Sequence, residues 1–129
     1  MISPRGVRRH EAAMEHKHHT VDYLELAVHD VAKAKGFYGK AFGWAFNDYG
    51  PEYAGIQKEG GGEVGGLNGT SDAPVGRPLL VLYSRDLEAT RVAVVQAGGS
   101  IVREIFKFPG GRRFHFKDPS GNECAVWSE

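Results

Sequence analysis

The sequence predicts an α+β domain built from two similar βαβββ modules. Three observations support this: the order of motifs repeats along the chain, each half opens with a strand-like segment, and each half then carries an amphipathic helix preceded by aspartate. Asp30 matches Asp86 at an offset of 56, and Glu63 matches Glu123 at an offset of 60. A repeat of this length indicates a duplicated supersecondary unit.

The first module begins with residues 22–28, in which apolar and other side chains alternate as in a strand with one packed face. Asp30 is a good helix N-cap because its carboxylate can accept from an N–H of the first turn. Apolar residues then follow at helical spacing until Gly43, a typical residue just past a helix C-terminus. Three more strands are expected at 44–47, 53–58 and 63–68.

The second module follows a loop-rich linker at residues 69–78 and repeats the same order. A strand is expected at 79–84, and Asp86 caps a helix that the glycine pair at 98–99 ends. The remaining strands are expected at 101–106, 112–117 and 123–127.

The domain prediction is a flexible N-terminal arm at residues 1–20, followed by one domain at 21–129 with modules at 21–68 and 78–128. The arm lacks the apolar stretch of a secretory signal. Its histidines at 16, 18 and 19 are weak evidence for a biological metal site.

Composition narrows the classes of partner. Sixteen basic and sixteen acidic residues give a formal net charge of zero, which argues against nucleic acid or an anionic membrane as partner. No apolar run approaches the ~20 residues that span a bilayer. The single cysteine, Cys124, is typical of a reducing compartment, so a cytoplasmic location is expected.

Several segments resemble the vicinal oxygen chelate superfamily, which includes glyoxalase I, extradiol dioxygenases, and fosfomycin- and bleomycin-resistance proteins. They are the turn Asp-Pro-Ser-Gly-Asn at 118–122, the Val-Trp pair at 126–127, and the residues at 28–30 and 42–44. The resemblance implies two modules whose mixed sheet curls into a half-open barrel with outer helices. It also implies a homodimer, with or without exchange of modules.

In metal-using members of this superfamily, one ligand is typically a His seven residues before the capping Asp. The other is typically a Glu three residues after the Asn of the turn. Carried over, these positions hold Tyr23 and Leu79 in the first strands, and Gly65 and Ala125 in the last strands. Leu, Gly and Ala side chains cannot bind a divalent ion, and a lone Tyr is a poor ligand at neutral pH. No metal and no cofactor are therefore expected.

Strand alternation predicts which side chains share the face of those positions, and so line a ligand pocket. Such a wall has apolar and aromatic area with a few polar groups, as small-molecule sites usually do. The alternative is that the modules fill this space with core side chains. The predicted ligand-binding residues are Tyr23, Glu25, Gly65, Leu79, Val81, Tyr83, His115, Ala125 and Trp127.

Two of these residues are candidates for acid/base catalysis. Glu25 lies on a partly apolar wall, where desolvation favours proton uptake as a general base requires. The alternative is a rim carboxylate paired with Arg112 or Arg113. His115 lies between two phenylalanines and faces the pocket if they face the helix; the alternative is a structural hydrogen bond to a backbone carbonyl.

The leading functional hypothesis is a metal-independent protein that binds a small, aromatic or drug-like molecule. The alternative is a glyoxalase-like lyase or isomerase that uses non-standard metal ligands or metal-free acid/base catalysis. Whether the chain is an enzyme stays open at this point.

Overall fold

The computed structural model describes residues 16–73 and 76–129. The predicted arm over residues 1–15 and part of the predicted linker lie outside them. The described residues divide into two compact units, one holding residues 23–73 and 76–78 and the other residues 16–22 and 79–129. Each unit is described separately below.

Module 1 contains one helix and four strands in the predicted order. They are β1 (Val21–Ala27), α1 (Val31–Phe42), β2 (Phe46–Asp48), β3 (Tyr53–Gln57) and β4 (Glu63–Asn68). The strand order is β2-β3-β4-β1, with β1 parallel to β4 and the other pairs antiparallel.

Module 2 repeats this arrangement. Its elements are β5 (Leu79–Tyr83), α2 (Leu87–Gln96), β6 (Ser100–Phe108), β7 (Gly111–Lys117) and β8 (Glu123–Ser128). The strand order is β6-β7-β8-β5, with β5 parallel to β8 and the other pairs antiparallel. The α+β class and the two βαβββ modules are therefore confirmed.

Both helices begin where the aspartates predict. The Asp30 carboxylate accepts from the backbone N–H of Lys33 at 3.0 Å, and Asp86 accepts from that of Ala89 at 3.1 Å. Gly43 ends α1 with a φ of 74°, a left-handed conformation that costs glycine little. These caps satisfy backbone groups that a helix end leaves unpaired.

The core of module 2 lies between its sheet and α2. Leu87 of α2 is fully buried against Phe114 of β7 and Val126 of β8, and Phe116 packs on this cluster. In the strands, alternate residues point to opposite faces. His115 therefore lies on the face opposite Phe114, as the alternation predicts.

One predicted face is wrong in module 1. The ladder pairs Glu25 with Gly66, and Leu24 with Gly65. Paired residues of a ladder share a face, so Gly65 lies on the face of Leu24 and not on that of Glu25. Leu67, which pairs with Leu26 and is fully buried, lies on that same helix-side face.

The physical reason is an irregularity in the pairing of β4. Glu63 pairs with Gln57, whereas the next pair joins Gly65 to Ile56, so one strand advances two residues while the other advances one. An extra residue of this kind moves every later side chain to the other face. The match at an offset of 60 holds for Glu63 and Glu123, but Gly66 is the residue that corresponds to Ala125.

Residues 16–20, predicted as the end of the flexible arm, make defined contacts with module 2. The backbone N–H of His19 donates to Tyr83 O at 2.7 Å, and that of Tyr83 donates to Thr20 O at 3.1 Å. The His19 ring contacts the Thr90 hydroxyl at 2.9 Å. Among the described residues, none of the helices has the length and apolarity that a membrane span requires.

Candidate functional site

The face of module 1 that carries Glu25 is a hydrogen-bonded polar cluster. We call it the polar face, and its residues are Tyr23, Glu25, Tyr53, Gly66 and Asn68. The two phenol oxygens, of Tyr23 and Tyr53, are 2.5 Å apart. The Tyr53 hydroxyl donates to Glu25 Oε2 at 3.0 Å, and Asn68 Nδ2 donates to Glu25 Oε1 at 3.2 Å. Glu25 is only 6% exposed, so these donors satisfy a carboxylate removed from water.

Tyr53 is held in its neutral form by this environment. Burial raises the pKa of Tyr53 well above its usual value, and the adjacent charge of Glu25 and the neighbouring Tyr23 raise it further. The Arg112 guanidinium binds Glu88, at 2.5 and 3.3 Å, and the alternative pairing of Glu25 with Arg113 stays a prediction. Glu25 is thus buried among phenol and amide donors.

Gly66 stands at the position where the superfamily's glutamate ligand is expected, once the register of β4 is corrected. A Cβ at residue 66 would overlap the Tyr53 phenol and lie 2.6 Å from the Tyr23 oxygen. The two phenols therefore fill the space that a ligand side chain would need. Gly65 offers no substitute, because a Cβ there would collide with the backbone oxygen of Leu24.

The corresponding positions of module 2 also lack metal donors. Ala125 is fully buried and Leu79 is half-buried, and neither has an oxygen or nitrogen in its side chain. Within residues 16–73 and 76–129, no group of three or more His, Cys, Asp or Glu side chains is placed to hold a metal ion. The residues at the superfamily's ligand positions do not fit a divalent ion.

The corresponding face of module 2 is richer in rings. We call it the ring face; cross-strand pairing joins Val81 to Ala125, Ala125 to His115, and Tyr83 to Trp127. All five residues are buried, and none is more than 7% exposed. Leu79 shares this face by strand alternation and is half-buried, so the structure places six of the nine predicted binding residues on one face of one module.

His115 forms a pair with Glu123 on this face. The ring Nδ1 lies 3.0 Å from Glu123 Oε2, and Nε2 is buried with no hydrogen-bond partner among the described residues. Burial lowers the pKa of His115, and the positive charge of Arg113 lowers it further, while Glu123 acts in the opposite direction. A neutral ring that donates from Nδ1 to Glu123 leaves Nε2 as a proton acceptor.

Sequence reasoning did not identify several of these partners. Tyr53 and Asn68 lie on β3 and β4, and their contact with Glu25 depends on the irregular register between these strands, which no sequence signal marks. Asp22 was also missed, although it accepts from Trp127 Nε1 at 2.9 Å. Only its position near the start of β1 could have drawn attention to it.

The sequence of this chain matches a known family over most of its length. The sequence model of the Glyoxalase/Bleomycin resistance protein/Dioxygenase superfamily matches residues 18–126. The chain belongs to this superfamily. The predicted resemblance is therefore confirmed.

Relatives and solved structures agree with membership of the superfamily. CFP32 of Mycobacterium tuberculosis, which carries a glyoxylase name, is 28% identical over 88% of this chain. The chain spans about half the length of the curated relatives it matches, at 47%.

Among solved structures, the Mn(II)-bound glyoxalase of Novosphingobium aromaticivorans has a TM-score of 0.62 and 23% identity. The match covers 84% of this chain and 38% of that one. A methylmalonyl-CoA epimerase of Streptomyces coelicolor has a TM-score of 0.65 and 16% identity, covering 88% of this chain and 96% of that one. These structures share the fold.

Replacing Tyr53 by Phe tests whether the polar face depends on this hydroxyl. The variant should lose about 1–3 kcal/mol of unfolding free energy, because Glu25 loses a donor in a buried setting. Urea denaturation at neutral pH measures this. Tyr38→Phe is the matched control, since that hydroxyl makes no described hydrogen bond, and it should change stability by less than about 0.5 kcal/mol.

The same variant should alter the alkaline limb of the stability curve. Unfolded tyrosine ionises near pH ~10, whereas folded Tyr53 ionises well above that value and Tyr83 has a pKa of about 12. The contribution of these tyrosines to the free energy of unfolding is therefore fully present below pH ~10. It is lost as pH rises through their pKa values in the folded protein. Tyr53→Phe should make this decline shallower; an unchanged slope would contradict the account of Tyr53.

Proposed function

We propose that this chain binds a small organic molecule without a divalent ion at the superfamily's usual ligand positions. One observation carries the proposal: the Tyr23 and Tyr53 phenols occupy the space above Gly66, where a ligand side chain would stand. A metal would have to displace a partly buried, hydrogen-bonded pair to reach this position. Leu79 and Ala125 supply no donor in the other module.

The ring face of module 2 is the better candidate for ligand contact. Val81 and Ala125 give it a small aliphatic floor, and Tyr83 and Trp127 contribute aromatic rings whose centroids lie 5.2 Å apart. His115 supplies one polar atom that has no described partner. Apolar walls with a few placed polar groups are typical of small-molecule sites. This composition favours an aromatic or drug-like ligand.

The oligomeric state, partners and cellular location of the protein are proposed as well. The superfamily name includes bleomycin-resistance proteins, which is consistent with a binding role, and a homodimer is expected from the resemblance. Balanced charge gives no support to nucleic acid or membrane partners, and a single cysteine suits the cytoplasm.

The binding proposal is tested by fluorescence titration with an uncharged aromatic probe, N-phenyl-1-naphthylamine, in excess EDTA. Wild-type protein should bind the probe as well with EDTA as without it. Val81→Phe should abolish binding because the larger ring fills the ring face. Leu80→Phe is the matched control: residue 80 lies on the opposite face of β5 and is 43% exposed, so binding should persist.

Two results would overturn this proposal. One is binding that disappears in EDTA and returns on adding Mn²⁺ or Zn²⁺. The other is equal loss of binding in the two variants, each shown by circular dichroism to be folded. Loss in both would mean that the ring face is not the contact surface.

A second candidate function is metal-free acid/base catalysis, favoured by the His115–Glu123 pair and by the buried Glu25. A neutral imidazole with an unpaired Nε2 can accept a proton, and Glu123 would stabilise the imidazolium that forms. Two structural neighbours are a glyoxalase and a methylmalonyl-CoA epimerase. The chemistry to be tested is removal of a proton next to a carbonyl.

Exchange of the α-proton of methylmalonyl-CoA in D₂O, followed by NMR with excess EDTA present, measures this directly. If His115 is the general base, His115→Gln should lower the exchange rate by about 10²-fold or more. If Glu25 is the general base, Glu25→Gln should lower it by a similar factor. Burial lowers the pKa of His115 below 6.5, so the rate should fall only as pH drops through that lower value. Exchange that survives both substitutions, or no exchange at all by wild-type protein, would reject this candidate.

A further inference from the structure

The side chain of His16 lies in an aromatic slot of module 2. Its ring stacks on Tyr83, with centroids 5.1 Å apart and an interplanar angle of 29°. It meets the Trp127 ring edge-on at 4.9 Å and 83°. Its Nδ1 lies 2.6 Å from Asp22 Oδ1. The ring is thus contacted on a face, on an edge and at a nitrogen.

The slot itself is held in place without His16. Trp127 Nε1 donates to Asp22 Oδ2 at 2.9 Å, which fixes the indole and the carboxylate relative to each other. The Tyr83 hydroxyl donates to Glu129 Oε1 at 2.5 Å, which fixes the second ring. The side chain of Asp22 is only 12% exposed. A carboxylate this shielded from water needs donors, and His16 supplies one of them.

His16 itself comes from neither a helix nor a strand. It precedes β1 by five residues, and residues 16 and 17 have no regular secondary structure. A side chain on such a segment can leave the slot without unpairing the sheet. The slot residues Asp22, Tyr83 and Trp127 therefore lie on strands, whereas His16 lies on a short segment without regular structure.

We infer that the slot of Tyr83, Trp127 and Asp22 is a binding site for planar nitrogen heterocycles that carry an N–H donor, with His16 as its tethered internal occupant. The inference rests on the proposed small-molecule binding and names the ligand class. Two ring surfaces select a flat molecule, and an acceptor-only carboxylate selects a donor over an acceptor. The same charge disfavours anionic ligands.

His16 then competes with any ligand from outside. A tethered group acts at an effective concentration that reaches the millimolar range for short flexible connections. If the slot is open for only about a tenth of the time, the apparent affinity for a free ligand falls about ten-fold. Removing the His16 imidazole should therefore raise the apparent affinity for a free ligand about ten-fold.

The experiment uses the full chain in a Trp44→Phe background, which leaves Trp127 as the only tryptophan. Quenching of its fluorescence by benzimidazole, a flat heterocycle with an N–H, is compared with quenching by benzothiazole, which has a similar shape and no N–H. The variants are His16→Ala, His29→Ala as the matched control, and Asp22→Asn in the His16→Ala chain. His29 is exposed and lies outside the slot.

The inference predicts that His16→Ala binds benzimidazole about ten-fold more tightly than the parent, while His29→Ala does not differ from the parent. Benzothiazole should bind at least about ten-fold more weakly than benzimidazole, and Asp22→Asn should remove most of that preference, because the donor no longer meets a charged acceptor. Thermal melting of each variant verifies that the slot was tested in folded protein.

Three results would overturn the inference. They are equal affinity of His16→Ala and the parent, equal affinity for the two probes, and no binding of either probe by any folded variant. Binding of the uncharged aromatic probe N-phenyl-1-naphthylamine to the same proteins distinguishes failure of the inferred ligand class from failure of the proposed function. If that probe binds, the proposed function stands and only the ligand class is wrong; if it does not bind, the proposed function fails as well.

Discussion

The close approach of two tyrosine phenols to the backbone at Gly66 is the constraint on which the polar face of module 1 depends. Any side chain at residue 66 would overlap the Tyr53 phenol. Because glycine stands there, Tyr53 can reach both Tyr23 and Glu25, and the buried carboxylate is satisfied. The same contact closes the position at which a metal ligand of this superfamily would stand. One glycine thus links the packing of the module to its chemistry.

The duplicated modules use equivalent positions differently. Gly66 of module 1 lies against the hydrogen-bonded side chains of Tyr23, Tyr53 and Glu25. Ala125 of module 2 lies between Val81 and His115 on a face that carries aromatic rings and an imidazole nitrogen without a described partner. A buried polar atom without a partner costs about 1–3 kcal/mol. Such a cost is retained more easily at a functional surface than at a purely structural one, which favours module 2 as the ligand-contacting half.

Much of the fold could be predicted from the sequence because local signals were strong. Alternation predicted the first strand and the repeat predicted its counterpart, and Asp30, Asp86 and Gly43 marked helix ends that the structure reproduces. The register of β4 could not be predicted, because Gly65 and Gly66 have no side chains to show which one faces inward. The docking of His16 was missed for a different reason: its partners, Tyr83 and Trp127, are distant in sequence and no local pattern connects them.

The central claim is that the superfamily's metal positions are closed in this chain, and metal content tests it most directly. Inductively coupled plasma mass spectrometry on protein purified without a histidine tag would measure Mn, Fe, Co, Ni and Zn per chain. Residues 1–13 would be removed as a precaution against adventitious binding, since they include a histidine. The account predicts folded protein with far less than one equivalent of any of these metals. Close to one equivalent, retained through dialysis against a weak chelator, would contradict it.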